Sequence, residues 1–168
     1  MVMQNKWKAA LLLSAFIVVA IALGSWFFNS VMEDEWSRER AAVLSAYEKT
    51  ILAKTVKVDR FVGQKPYTVI QGEDKIGQPV IVWVAEDEIR SEMAAGGITA
   101  QQAEQATLER HANAQIVRTM PGMMDNAPVW EIFYKLPPGG EEKQEQYFYD
   151  YYAFKDGQLI DSWRLSIR

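Results

Sequence analysis

"YFYDYYAFKDGQLIDSWRL", residues 147–165, sets six aromatic rings into its first eight positions, and its reading decides how the C-terminal half folds. Two β-rich runs flank Lys155-Asp156-Gly157, a turn signal, so the stretch predicts a β-hairpin. If those three residues form a type I turn with glycine in the left-handed region, positions of like parity share a face. Tyr147, Tyr149 and Tyr151 then lie with Leu165, Trp163 and Asp161, while Phe148, Asp150, Tyr152 and Phe154 lie opposite with Arg164, Ser162 and Ile160. A two-residue Asp-Gly turn would set Asp150 against Trp163 on the apolar face. An unpaired buried carboxylate is costly, which favours the longer turn. The octet Tyr147–Phe154 is then either a central strand covered on both sides or a strand whose Phe148, Tyr152 and Phe154 form an exposed patch. On such a patch the rest of the chain or a partner would dock.

The order of elements before the hairpin repeats. "WSRERAAVLSAYEKTIL", residues 36–52, places Trp36, Val43, Leu44, Tyr47 and Ile51 on one helical face. Three β-rich runs follow, Thr55 to Val62, Tyr67 to Gln71 and Pro79 to Ala85. "GGITAQQAEQATLERHANA" then opens a second helix. Its Thr99 and Gln102 have capping-box spacing, each side chain satisfying a free N–H of the other's backbone. Strands are expected near Gln115 to Met120, Val129 to Leu136, Gln146 to Phe154 and Leu159 to Ile167. "QPVIVWV" (78–84) and "APVWEIF" (127–133) read as the same Pro-led strand in each half. The economical architecture is α+β, with two copies of a helix packed on an antiparallel sheet. "EMAAGGI", residues 92–98, joins them through two glycines. Each copy is small enough that packing of one on the other is expected.

At the other end, "AALLLSAFIVVAIALGSWFF", residues 9–28, is a run of twenty without charge, the length a helix needs to cross the hydrocarbon layer. Lys6 and Lys8 precede it and Glu33, Asp34 and Glu35 follow, so the positive-inside rule puts residues 1–8 in the cytoplasm as a tail and the body outside. Trp7 and Trp26 fall near the two boundaries. A cleaved signal peptide is the rival reading, since Ala20-Ile21-Ala22 has the form of a cleavage site, although the run stays apolar beyond it. In either case the body is extracytoplasmic and membrane lipid is the first partner. The chain's net charge of −4 includes Lys6 and Lys8, so the body is more acidic still, which excludes nucleic acid as a main partner.

No catalytic constellation emerges. The single histidine, His111, has no cysteine to pair with, and cysteine is absent, which removes thiolate nucleophiles and His/Cys zinc sites. The acids at 33–35, 86–88 and 141–142 fall at element boundaries, and "GEDKIG" (72–77) reads as a hairpin connection, not as a cation loop. No catalytic, cofactor or metal residues are predicted, which leaves the profile of a binding or regulatory protein.

The short tail, the apolar run, "YTVIQGEDKIGQPVIVWVAED", "GITAQQA" and "YYAFKDGQLIDSWRL", taken in this order, resemble the TseB-like (YpmB) proteins of Bacillus-type Gram-positive bacteria over essentially the full length. The resemblance implies two tandem cystatin-like modules, here residues 36–91 and 97–168, the second similar to PepSY domains. It further implies a non-enzymatic role in cell-wall elongation through binding a penicillin-binding protein at the membrane. By analogy of fold, an inhibitor or chaperone of an exported peptidase is the alternative.

Overall fold

The computed structural model describes residues 3–139 and 143–166; of residues 3–14 and 28–35 it describes the backbone alone. The chain divides into two units, residues 1–41 and 42–168. The first is helical throughout its described length. Helix α1, Met3–Lys49, runs on from the apolar stretch into the region read above as a separate helix. No proline or glycine interrupts Asn29–Glu35, so nothing stops the helix there. Residues 15–27 are exposed. Among the described residues no helix is long and apolar enough to cross a membrane. The run 9–28 extends beyond the residues whose side chains are described.

The second unit contains two four-stranded antiparallel sheets, each in sequence order. The first is β1 (Lys54–Val62), β2 (Pro66–Glu73), β3 (Pro79–Val84) and β4 (Ile89–Met93). β4, "IRSEM", was not foreseen, because an edge strand that pairs only with β3 tolerates the polar residues that hide it. Asp74 shapes the β2–β3 turn by accepting from the N–H groups of Ile76 and Gln78, and Gly77 takes φ +81°. The end of α1 covers one face of this sheet. Ala46 packs there with Leu52, Ile70, Val80 and Val82, and Ala42 is also buried. The buried helix face is therefore the alanine face. Of the residues expected inward, Val43 packs against this cluster, whereas Trp36, Leu44 and Ile51 are exposed and Tyr47 clips β1 by accepting from the Thr55 N–H at 2.9 Å. Small residues i and i+4 apart allow the helix backbone close to the sheet, an approach that larger side chains would prevent.

After a single 3₁₀ turn, Ala94–Gly96, helix α2 (Ala100–Arg110) opens with the anticipated capping box. Thr99 Oγ1 accepts from the Gln102 N–H and Gln102 Oε1 from the Thr99 N–H. The second sheet is β5 (Gln115–Met124), β6 (Ala127–Leu136), β7 (Gln146–Ala153) and β8 (Leu159–Leu165). A structural repeat is present, but its alignment differs from the one read in the sequence. β3 is the third strand of its sheet and β6 the second, so the two Pro-led segments are not equivalent. The stronger sign of repetition is a bulge at the third residue of each opening strand, Val56 in β1 and Val117 in β5.

The two sheets share one core. Phe61, Tyr67, Val69, Ile81 and Trp83 of the first join Met120, Val129, Trp130, Ile132, Tyr151 and Phe154 of the second. Gly122 makes room for the Phe61 ring, because a Cβ there would lie 2.4 Å from it. Gly97, half of the expected joint, is tied down: a Cβ would lie 2.3 Å from the Phe154 carbonyl oxygen, which accepts from the Ile98 N–H.

Candidate functional site

The hairpin register is the predicted one from Tyr147 to Tyr151: Tyr147 pairs with Leu165, Tyr149 with Trp163, Asp150 with Ser162 and Tyr151 with Asp161. It is reached by a different route. The loop holds four residues, closed by Ala153 and Gln158, with Gly157 at φ +73°, and one extra residue in β8, Ile160, restores the parity.

The even-numbered face of β7 lies beneath α2. There Tyr152 and Phe154 are 2% and 4% exposed, and Phe148 is partly buried, so these three residues form no exposed patch. The physical reason is that the α2 face and the first sheet need large rings to fill the space between them. Phe154 meets Trp83 of the first sheet edge-on with centroids 6.3 Å apart, and Phe148 stacks on Tyr134 at 5.4 Å. Among these rings lies Asp150, wholly buried, with a full set of donors. Arg110 Nη1 and Ser162 Oγ each donate at 2.6 Å, and the Tyr152 and Tyr134 hydroxyls donate at 3.2 and 3.3 Å. A carboxylate so surrounded is neutralised and hydrogen-bonded, which is what the unpaired case weighed above lacked.

The odd-numbered face is buried at Tyr151 and partly open at Tyr147 and Tyr149. Tyr147, Phe133, Tyr149 and Tyr151 form a row of near-parallel rings, with successive centroids 5.9, 4.7 and 6.4 Å apart. Trp163, 53% exposed, stands edge-on to Tyr151 at 5.3 Å. Tyr149 and Tyr151 of this row border a cleft of about 620 Å³ between the end of β1 (Arg60–Val62) and this face, with Arg118, Glu131, Arg164 and Leu165 in its walls. Glu131 is the second buried carboxylate. It accepts from Arg118 Nη2 at 2.7 Å and from the Tyr151 hydroxyl at 3.1 Å. Burial, reinforced by the Glu131 charge, pushes the Tyr151 phenol far above its ordinary pKa, so it remains a donor.

Neither Glu131 nor the arginines of the cleft were singled out from sequence. The available signal was a lone acid within the apolar strand "PVWEIFY", the same kind of signal that Asp150 gives within the octet. The cleft offers aromatic area and positive charge without an assembled nucleophile and base, an arrangement suited to binding.

Residues 41–85, from the end of α1 through β3, match the family model of the cell wall elongation regulator TseB-like domain. The probable cell wall elongation regulator TseB of Bacillus subtilis (strain 168) is 28% identical over 148 residues, covering 86% of this chain and 88% of that protein. The chain is thus similar to TseB over most of its length. The solved structure of the YpmB protein from Bacillus subtilis superposes with a TM-score of 0.62 at 27% identity, over 75% of this chain and 96% of that one. The similarity thus extends well beyond the segment that the family model matches.

Proposed function

We propose that this TseB-like protein is a membrane-anchored, extracytoplasmic regulator of cell-wall elongation that acts by binding a penicillin-binding protein and not by catalysis. The observation that carries the reading is the similarity to a probable elongation regulator along 86% of the chain. The anchor is supported by α1, whose residues 15–27 are almost all apolar and are exposed on every side. A helix apolar all round needs either a protein core or a membrane around it. With Lys6 and Lys8 on the cytoplasmic side and lipid around residues 9–28, the two helix-and-sheet modules, 36–91 and 97–168, stand outside the cell membrane. Tethering beside a membrane-bound synthase raises the effective concentration, so a weak lateral contact suffices for regulation.

The test is photocrosslinking in intact cells, with probes placed in turn on each sheet of the full chain. The expected result is an adduct with an elongation-type penicillin-binding protein. Absence of any such adduct from both sheets overturns the reading.

A further inference from the structure

We infer that β8 is a self-pairing edge. Two copies of this chain add β8 to β8 in antiparallel fashion about a two-fold axis at Trp163, which joins their second sheets edge to edge. The inference goes beyond the regulatory role proposed above and does not depend on it. Three observations lead to it.

The first is that β8 is the unguarded edge. An edge strand offers a row of unpaired N–H and C=O groups, and proteins blunt such edges with lysine, proline, bulges or shortness. Among the described residues the sheet edges are β1, β4, β5 and β8. β1 carries Lys54, Lys57 and a bulge at Val56, and β4 has only five residues, Arg90 and Glu92 among them. β5 carries Pro121 and a bulge at Val117. β8 contains no lysine, proline or glycine, and its bulge at Ile160 falls near its start, leaving Asp161–Leu165 in unbroken register with β7. It also exposes four large apolar side chains, those of Leu159, Ile160, Trp163 and Leu165.

The second is an aromatic row that stops at this edge. Phe133 of β6 pairs with Tyr149 of β7, and Tyr149 with Trp163 of β8, so the three residues lie in line across one face of the sheet. Phe133 and Tyr149 stack with centroids 4.7 Å apart, whereas Trp163, the last in line, is 53% exposed. Its indole N–H donates to Asp161 at 2.6 Å, which fixes the ring at the rim. A further antiparallel strand with an aromatic residue opposite Trp163 continues the row, and cross-strand aromatic pairs stabilise a sheet.

The third is self-complementarity, which selects a second copy as the occupant. Pairing the regular stretch Asp161–Leu165 with itself places Trp163 at the centre, opposite its own counterpart. Ser162 then lies opposite Arg164 and Asp161 opposite Leu165, each pair occurring twice, as a two-fold interface requires. No like charges stand directly opposite each other. β8 holds one acid and one base, so the seam is neutral on a chain whose net charge is −4.

The chain contains no cysteine, so a single introduced one reports contact between copies. The full chain in detergent micelles is prepared as Trp163→Cys, Leu165→Cys and Ile76→Cys, the last a fully accessible control in the β2–β3 turn, and each is mildly oxidised. Trp163→Cys is expected to give a disulfide-linked dimer, because directly opposite residues hold their Cβ atoms about 5 Å apart. Leu165→Cys is expected to give none, since in this register the two copies of that position lie about 13 Å apart along the strands. Light scattering of the parent chain is expected to show a dimer, Trp163→Phe to keep it, and Trp163→Lys to raise its dissociation constant by about tenfold or more. Circular dichroism identifies any variant that has failed to fold. The inference is overturned if the parent is monomeric, if Trp163→Lys dimerises as the parent does, or if Ile76→Cys links as readily as Trp163→Cys. A monomeric parent whose adduct with the synthase is lost in Trp163→Lys would show that the edge takes a strand of another protein, and self-pairing falls. A parent that dimerises through Trp163 but gives no adduct in cells removes the regulatory role and leaves this interface standing.

Discussion

The two sheets share a bulged opening strand, an antiparallel order and a covering helix, yet they treat their second faces differently. In the first sheet, Ile70, Val80 and Val82 lie beneath α1 while Val69, Ile81 and Trp83 enter the core shared with the second sheet, so both faces of the inner strands β2 and β3 are sealed by apolar contact. Its charged groups stay outside, as in the Lys65–Asp87–Glu88 cluster with Tyr67. The second sheet buries a carboxylate on each face, Asp150 and Glu131, and leaves part of one face uncovered. A sheet covered on both sides by neighbours in its own chain serves as a base. A sheet with one open face has surface left for a partner.

The strongest way to break this comparison is to remove the ring that joins the two sheets. Phe154→Ala opens a cavity beside Trp83 and Trp130 and is expected to cost about 3–5 kcal/mol of stability in urea unfolding. A loss of only about 0.5 kcal/mol, typical of surface substitutions, would mean the sheets do not depend on a shared core.

A smaller loss is expected from the buried polar cluster of the second sheet. Arg110→Ala leaves Asp150 with hydroxyl donors alone and is expected to cost about 2–3 kcal/mol. Adding Asp150→Asn should recover part of this, because the amide carries no charge to compensate. Additive costs in the double-mutant cycle would show that the two groups do not interact.

The smallest effect belongs to the exposed cluster of the first sheet. A hydrogen bond from Lys65 holds the Asp87 carboxyl below its ordinary range, and bonds from Tyr67 and then Lys65 do the same for Glu88. Groups whose folded pKa is lowered stabilise above the ordinary carboxylate range and lose that contribution as pH falls through the folded value. Lys65→Met should therefore flatten the acid limb of the Tm–pH profile slightly, with a difference that shrinks in 1 M salt. A difference that persists in salt would show the cluster to be effectively buried.

Local chemistry that is complete within a few residues was legible in the sequence. The Thr99–Gln102 capping box, the left-handed Gly157 and the parity of Tyr147–Tyr151 all came from short-range rules, and all are present. Readings that depended on which face meets what fared differently. Of the apolar stripe through Trp36, Val43, Leu44, Tyr47 and Ile51, Val43 packs against the sheet, but the fully buried helix residues are Ala42 and Ala46, because the depth of approach and not hydrophobicity alone sets the buried face. Phe148, Tyr152 and Phe154 were candidates for a surface on which the rest of the chain or a partner docks; Phe154 meets the first sheet at Trp83, Tyr152 is buried, and the exposed ring is Trp163 on the other side. Parity told the two sides apart without telling which one α2 would cover.

By itself the sequence determined most of the strands, the start of α2, the turn chemistry, the acidic body behind an apolar stretch, and the resemblance to TseB-like proteins. Only the tertiary structure decided which side of β7 is buried, that Asp150 is neutralised by Arg110 and its hydroxyl neighbours, and that Arg60 of one sheet and Arg118 and Arg164 of the other line one cleft. The reason is range. Periodicity and turn propensity act over a few residues, whereas charge pairing and coverage are settled between strands separated by some 45 to 105 positions, as Arg60, Arg118 and Arg164 are.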